Sequence, residues 1–135
     1  MKSPAAGLVE ALQSWPGVRL AVLFGSAARG DAAPGSDLDV GVLFDTGREN
    51  AAALEVALAR TTRRRVDLVR LDVAPPLLRF EIARDGRLLL ERTPHAWTDF
   101  RARAMTDWWD WAPTARLLNQ AAVERLRATV ADGPR

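Results

Sequence analysis

The chain has 135 residues, of which 48% are hydrophobic and 27% are charged, and it contains no cysteine and a single histidine, His95. The lack of thiols excludes disulfides, a cysteine nucleophile and a cysteine-rich zinc site, and one imidazole cannot supply a multi-histidine metal shell. The net charge of +2, from 19 basic and 17 acidic residues, is too small to predict nucleic-acid binding by itself. Any chemistry must therefore rest on carboxylates and other oxygen ligands.

The length is typical of one domain. No apolar run reaches the ~18 residues of a membrane span, and the start Met1-Lys2 is not followed by the apolar region of a signal peptide. We therefore expect a cytoplasmic protein with no membrane partner. Residues 1–92 are expected to form the core, and residues 93–135 a helical extension of the same domain.

The first part of the chain is predicted to begin with a helix and a strand. Ser3-Pro4 places a capping hydroxyl before a proline at the first helical position, which predicts a short helix that ends at Pro16-Gly17. The continuous apolar run from Leu20 to Phe24 is typical of a buried strand. A second strand is predicted from Leu38, where the pattern Leu-Asp-Val-Gly-Val-Leu-Phe begins.

The next elements continue this alternation of helices and strands. Thr46 and Glu49 have the spacing of a capping box, which predicts a helix behind them. Val66 to Leu71 is a predicted third strand, Pro75 to about Arg84 a helix, and Arg87 to Glu91 a fourth strand. The predicted fold class is α/β (α+β), with a small mixed sheet of about four strands and flanking helices.

The last forty residues are predicted to be helical. Thr93-Pro94 opens a helix that Pro113 is expected to end, and a second helix follows. Apolar residues at helical spacing form a stripe on each helix, namely Trp97, Phe100, Ala104, Trp108 and Trp111, then Ala115, Leu118, Ala122, Leu126 and Thr129. We expect the first stripe to pack onto the sheet. Trp109 and Met105 lie off that stripe and are predicted to form a surface for a protein partner or a homodimer.

The stretch Gly25-Ser26-Ala-Ala-Arg29-Gly30 leaves the first predicted strand and opens a helix. A Gly-Ser turn at this place presents backbone N–H groups and a hydroxyl, which bind phosphate oxygens. Arg29 lies one turn further along the same helical face and could reach the same phosphates. The alternative is that Arg29 forms a structural ion pair with an aspartate.

Three aspartates are candidates for the chemistry. Asp37 and Asp39 are two residues apart at the start of the second strand, so both side chains point to one face of the sheet. Asp67 lies between apolar neighbours in the third strand, where an acid is expected to need a partner. If the two strands pair, three carboxylates meet beside the Gly-Ser turn, an arrangement that favours Mg²⁺ or Mn²⁺ and two-metal phosphoryl or nucleotidyl transfer. Asp72 is a rival third acid, interpreted as a solvated residue after the strand.

The motif Gly25-Ser26-x-x-Arg29-Gly30, followed by Ser36-Asp37-x-Asp39, resembles the signature of the DNA-polymerase-beta-like nucleotidyltransferase superfamily. The chain most resembles its minimal nucleotidyltransferase (MNT) branch. The resemblance covers residues from about 18 to 92, and Asp67 in Val-Asp-Leu-Val matches the third carboxylate of the family. It implies a nucleotidyltransferase fold, that of the palm of polymerase beta.

The resemblance also implies a role for each matching residue. The triphosphate of ATP or another NTP would be bound by Gly25, Ser26 and Arg29. Two Mg²⁺ ions, or Mn²⁺ in their place, would be bound by Asp37 and Asp39, and the catalytic ion also by Asp67. Asp67 would in addition help to deprotonate the attacking hydroxyl.

The MNT branch further implies a partner, a HEPN-domain toxin. The chain would then act as the antitoxin of a toxin–antitoxin system by transferring AMP from ATP to a hydroxyl of that toxin. Alternative acceptors are a small hydroxylated molecule, such as an aminoglycoside, or an RNA end. A different class of function is a non-catalytic module that neutralises its partner by binding alone.

Two further features remain open at this stage. The run Arg63-Arg64-Arg65 could bind RNA or an acidic partner, but charges at a helix end commonly form a solvated face that suits the helix dipole, and we interpret the run in that way. Nucleic acid is therefore not the expected partner. The role of Ser36 stays open, since it either caps its turn or contacts the nucleotide.

Overall fold

A computed structural model describes residues 3–33, 35–45 and 50–131. Its elements, in chain order, are α1 (Pro4–Leu12), β1 (Val18–Phe24), α2 (Ser26–Arg29), β2 (Leu38–Phe44), α3 (Ala51–Thr62), β3 (Val66–Arg70), α4 (Pro76–Asp85), β4 (Arg87–Glu91) and α5 (Ala96–Ala131). The predicted alternation of helices and strands is confirmed, although the first strand begins two residues earlier than expected. Within the described ranges, no helix is both long and apolar enough to cross a membrane.

The four strands form one mixed sheet in the order β3-β2-β1-β4. β1 is antiparallel to both of its neighbours, whereas β2 and β3 are parallel. The long α3 crossover between β2 and β3 makes this parallel pairing possible, because parallel strands cannot be joined by a tight turn. The predicted class, a small mixed sheet with flanking helices, is confirmed.

Helices cover both faces of the sheet. On one face, α1 and α3 pack against alternate residues of β1 and β2, in a core that includes Leu8, Leu12, Leu38, Val40, Val42, Leu54 and Leu58. On the other face, α4 and α5 form a second core with Leu20, Val22, Phe24, Leu71, Ile82, Phe100 and Ala104. Since side chains alternate along a strand, the residues of β2 between those of the first core belong to the second face.

α1 and α3 each begin with a side-chain cap. The expected cap at Ser3 is confirmed, since its Oγ accepts a hydrogen bond from the N–H of Ala6 at 3.2 Å. The capping box expected at Thr46 and Glu49 lies outside the described residues. α3 is instead capped by Asn50, whose Oδ1 accepts a hydrogen bond from Ala53 N–H at 3.0 Å.

The C-terminal region differs from the prediction. α5 runs without a break from Ala96 to Ala131 with Pro113 inside it, so the expectation of two helices separated at this proline is wrong. A proline inside a helix removes the N–H that would bond to the carbonyl four residues earlier, here that of Trp109. Both residues are exposed, so water can replace the missing donor. The start at Ala96 also lies later than the predicted Thr93-Pro94.

Candidate active site

The Gly-Ser turn lies where β1 ends, beside β2. Gly25 has φ 75° and ψ −158°, a conformation that is essentially limited to glycine. A Cβ at this position would lie 2.3 Å from Oδ2 of Asp39, far inside contact distance. The backbone conformation and the close approach both require glycine, and together they place the turn directly against the Asp39 carboxylate. Ser26 follows immediately and begins α2.

Asp39 and Asp67 lie opposite each other on the parallel strands β2 and β3. Leu38 and Val40 are fully buried in the core beneath α1 and α3, so the side chain of Asp39 between them points to the other face. Asp37 precedes the first residue of β2 by one position. The structure therefore brings Asp39 and Asp67 together at one end of the sheet, next to the Gly-Ser turn.

The aspartates lie at an open surface. Asp37 and Asp67 are exposed, and Asp39 is partly buried. Asp67 is exposed although its neighbours in the sequence are apolar, because β3 is an edge strand and Val66 beside it is buried on the opposite face. A site of this shape is accessible to an acceptor that arrives on another molecule.

The surroundings of Asp39 change the pKa of its carboxyl group. Its pKa is raised above the ordinary value of 3.8, first by burial and then by the negative charges of Asp67 and Asp37, whereas Arg29 lowers it. Among the described residues, no three His, Cys, Asp or Glu side chains are close enough to hold a metal ion by themselves. A cation here would complete its shell with other oxygen atoms, and Mg²⁺ commonly uses water and phosphate in this way.

Arg29, the last residue of α2, forms an ion pair with an aspartate, which was the alternative interpretation of this residue. Its Nε lies 3.5 Å from Oδ2 of Asp31, and the two side chains are 49% and 63% exposed. Exposed pairs of this kind contribute only about 0–1 kcal/mol, so the guanidinium can exchange this partner for a phosphate at little cost. Arg29 is also close enough to lower the pKa of Asp39.

The loop before Asp37 is held in place by contacts of Ser36. The Ser36 hydroxyl donates to the carbonyl of Ala33, so the side chain caps its own turn. The Ser36 carbonyl accepts hydrogen bonds from Nε of Arg64, at 3.1 Å, and from its Nη2. Arg64 thus fixes the residue next to Asp37, a role that the interpretation of Arg63-Arg64-Arg65 as a solvated face missed. The two partners are 28 residues apart, and no local signal in the sequence links them.

The other candidates have the positions expected for surface residues. Arg63 and Arg65 are exposed, in agreement with the interpretation of a solvated run at the end of α3. Asp72 lies after β3 and pairs with Arg70 at 3.1 Å, with both side chains well exposed. It is thus a surface ion-pair residue beyond the end of the strand that carries Asp67.

The apolar stripe of α5 packs against the domain over its first turns. Its most enclosed members are Phe100 and Ala104, which are buried, and Trp108, which stacks on Phe80 with ring centroids 5.5 Å apart. Met105 is partly buried and also packs against this core, so its expected place in an exposed surface is wrong. Trp109 is 76% exposed, as expected.

The chain matches a known protein family. The family model described as polymerase beta, nucleotidyltransferase matches residues 7–95. That range contains all four strands, the Gly-Ser turn and the three aspartates. No significant match was found among curated proteins.

Solved structures with the same fold include antitoxins. A toxin–antitoxin crystal structure with AMP-PNP is 24% identical, with a TM-score of 0.74 over 87% of this chain and 98% of that one. A Shewanella oneidensis complex of a tri-AMPylated HEPN toxin with an MNT antitoxin gives 22% identity and a TM-score of 0.69, over 88% of this chain and 96% of that one. A structure assigned as a minimal nucleotidyltransferase is 34% identical, with a TM-score of 0.52 over 62% and 86%.

Proposed function

Since the chain belongs to the polymerase beta nucleotidyltransferase family, we propose that it transfers AMP from ATP to a hydroxyl group of a partner protein. One observation carries this proposal: Asp39 and Asp67 lie opposite each other on paired strands, and the glycine of a Gly-Ser turn lies directly against Asp39. Nucleotidyl transfer needs acidic side chains beside a turn that binds the triphosphate, and this juxtaposition provides both.

Gly25, Ser26 and Arg29 bind the triphosphate in this proposal. The turn supplies backbone N–H groups and the Ser26 hydroxyl, which are suitable partners for phosphate oxygens. Arg29 supplies a charged, forked donor and leaves its weak, exposed pair with Asp31 to do so. These groups hold the nucleotide so that its α-phosphate faces the aspartates.

Asp37, Asp39 and Asp67 are the residues that would hold Mg²⁺, or Mn²⁺ in its place, together with water and phosphate oxygens. The pKa of Asp39 is raised first by burial and then by the negative charges of Asp67 and Asp37, which a cation would offset. All three side chains offer the oxygen donors that these ions prefer. Asp37 and Asp39 would hold two ions, and Asp67 would share the one nearer the acceptor. When bound, such ions stabilise the charge on the attacking and leaving oxygens.

The reaction breaks and forms one phosphorus–oxygen bond. The acceptor oxygen bonds to the α-phosphorus while the bond to the oxygen that bridges the α- and β-phosphates breaks, which releases pyrophosphate. The proton of the acceptor hydroxyl passes to a carboxylate oxygen of Asp67, which is exposed at the edge of the sheet. This exposure allows a hydroxyl on a large partner to approach.

The proposed partner is a HEPN-type toxin, which this chain would block as its antitoxin by adding AMP to a Tyr, Ser or Thr hydroxyl. Two structural relatives support this choice: an MNT antitoxin bound to a tri-AMPylated HEPN toxin, and a toxin–antitoxin complex with AMP-PNP. The open position of the aspartates also suits a protein acceptor better than a small molecule that must be enclosed.

The test follows the label from α-labelled ATP, in the presence of Mg²⁺, with the product of the adjacent gene as acceptor and an aminoglycoside and an RNA in parallel reactions. Label on the protein supports the proposal, whereas label only on the small molecule or on RNA would identify that molecule as the acceptor instead. The control is a double variant, Asp37→Asn with Asp39→Asn, which should transfer nothing. Inhibition of an unlabelled toxin that persists with this variant would identify a binding module instead.

A further inference from the structure

The apolar stripe of α5 continues beyond the part that packs on the domain. In the first turns this stripe is core, with Phe100 and Ala104 buried. At the same spacing of three and four residues it continues through what we call the distal stripe: Trp111, Ala115, Leu118, Ala122, Leu126 and Thr129. Here Leu118 is 58% and Leu126 65% exposed. One helix face thus changes from buried to uncovered, for a further length of roughly 28 Å at 1.5 Å per residue.

Uncovered apolar faces of this kind mark interaction surfaces. The side chains of the distal stripe alternate in size along the helix: the large ones are Trp111, Leu118 and Leu126, and the small ones between and after them are Ala115, Ala122 and Thr129. A partner that fits this face must therefore present small side chains opposite the large ones, and large side chains opposite the small ones.

A second copy of the same helix meets this requirement when it runs in the opposite direction. The facing pairs are then Trp111 with Thr129, Ala115 with Leu126, and Leu118 with Ala122. All three pairs form in a single register, since their midpoints all fall at or beside Gln120. Every large side chain thus faces a smaller one.

We propose that the distal stripe docks onto the distal stripe of a second copy, as an antiparallel helix pair with its two-fold axis beside Gln120. The same patch then serves both copies, as a two-fold interface requires. A parallel pair in register would instead place Trp111 on Trp111 and Ala115 on Ala115, with bulges and gaps that a close-packed interface does not tolerate.

The pair is expected to be reversible. A contact made by one helix face from each copy is smaller than the standard interface of about 800 Å² per partner. We therefore expect a dissociation constant on the order of 1–100 µM. Self-association must then be followed over a range of concentrations.

The first experiment is sedimentation velocity on the full chain from roughly 1 to 200 µM, a range set by the expected affinity. The mean mass should rise with concentration from 14.8 kDa toward twice that value. Leu118→Glu places two carboxylates near the axis and should weaken association about 100-fold or more. Leu117→Glu is the matched control, because Leu117 is 67% exposed but lies off the stripe; it should associate like the unaltered chain.

The second experiment tests the direction of the pair by cross-linking. The chain has no cysteine, so single cysteines report only the contacts made where they are introduced. Ala115→Cys and Leu126→Cys proteins, mixed and mildly oxidised, should form a disulfide between the two variants. Each variant alone should cross-link far less, since identical positions are about ten residues, or roughly 16 Å, apart along an antiparallel pair.

Three results would overturn the proposal. The first is a Leu118→Glu protein that associates as the Leu117→Glu protein does. The second is cross-linking of Ala115→Cys alone as efficiently as the mixture, which would indicate a parallel pair. The third is an unaltered chain that stays monomeric throughout while Leu118→Glu prevents it from binding the HEPN-type protein, which would assign the face to that partner.

Discussion

The guanidinium of Arg64 donates two hydrogen bonds to the backbone carbonyl of Ser36, the residue before Asp37. Arg64 lies just beyond the end of α3, and its neighbour Arg65 accepts a hydrogen bond from Leu38 N–H through its carbonyl at 2.8 Å. The chain between α3 and β3 thus holds both sides of Asp37. A side chain outside the signature motif therefore helps to set the position of a candidate metal ligand.

Arg64→Ala should lower kcat for AMP transfer by about 10–100-fold, because a displacement of reacting groups by about 1 Å has effects of this size. The loss should be larger than any change in KM for ATP, since the Gly-Ser turn that is proposed to bind the triphosphate is not altered. Arg65→Ala removes an exposed side chain from the same run and should leave both constants nearly unchanged. Equal kinetic losses in the two variants would show that Arg64 has no special positioning role.

Gly25→Ala should abolish transfer. The backbone at φ 75° and ψ −158° strongly disfavours any Cβ, which costs about 1–3 kcal/mol, and the new Cβ would also collide with Asp39 Oδ2. Denaturant titration measures the loss of stability, and label transfer measures the loss of activity.

Gly30→Ala is the control for that variant. Gly30 also has a positive φ, of 81°, but a Cβ there meets nothing within 4 Å. The Gly30→Ala substitution should therefore lower the unfolding free energy by about 1 kcal/mol without displacing an aspartate. If Gly25→Ala retained as much activity as Gly30→Ala, the contact with Asp39 would have no importance for the site.

Asp39→Asn should stabilise the fold at neutral pH. Folding raises the pKa of Asp39 above 3.8, through burial and the charges of Asp67 and Asp37, so between the two pKa values the folded state binds more protons than the unfolded one. The ionised side chain therefore makes folding less favourable as pH rises through that window, and makes no such contribution below 3.8.

The measurement is Tm against pH for both proteins. The variant should exceed the unaltered chain in Tm at pH 7, and the difference should shrink as the pH falls below about 4, near the ordinary pKa of the group. Mg²⁺ should raise the Tm of the unaltered chain more than that of the variant. A variant that is less stable at pH 7 would contradict the assigned electrostatics.

Arg92 links the end of β4 to α1 and β1. Its guanidinium donates to the carbonyls of Trp15, Val18 and Leu12 at 2.7, 2.6 and 3.2 Å. Arg92→Ala should lower the unfolding free energy by about 2 kcal/mol, because carbonyls lose a charged donor. Arg87→Ala, at an exposed position of β4, should change it by less than about 0.5 kcal/mol. Chemical denaturation measures the unfolding free energy of both variants, and equal losses in this free energy would refute this role of Arg92.

The sequence predicts the strands well because each has a local signal. β1 is an apolar run that ends at Gly25, and the alternation around Asp39 identifies the face on which that carboxylate lies. The close approach of Asp67 follows once β2 and β3 are paired. These features depend on periodicity and on residues close in the chain.

Features that depend on distant contacts could not be predicted in this way. The bond from Arg64 to Ser36 joins residues 28 apart, and only the folded chain brings them together. The continuity of α5 through Pro113 depends on whether water can satisfy one carbonyl, which the local pattern does not reveal. The exposure of Asp67 follows from the edge position of β3, a matter of strand order rather than of its apolar neighbours.

The most direct test of the account compares Asp67→Asn with Asp72→Asn in the label-transfer reaction with the proposed HEPN-type partner. Both changes remove one negative charge near β3, but only Asp67 lies opposite Asp39, whereas Asp72 pairs with Arg70 on the surface. We predict that Asp67→Asn lowers AMP transfer by at least about 1,000-fold, a loss of roughly 4 kcal/mol in transition-state stabilisation, and that Asp72→Asn stays within about threefold of the unaltered chain. Comparable transfer by both variants would contradict the assignment of the catalytic carboxylates.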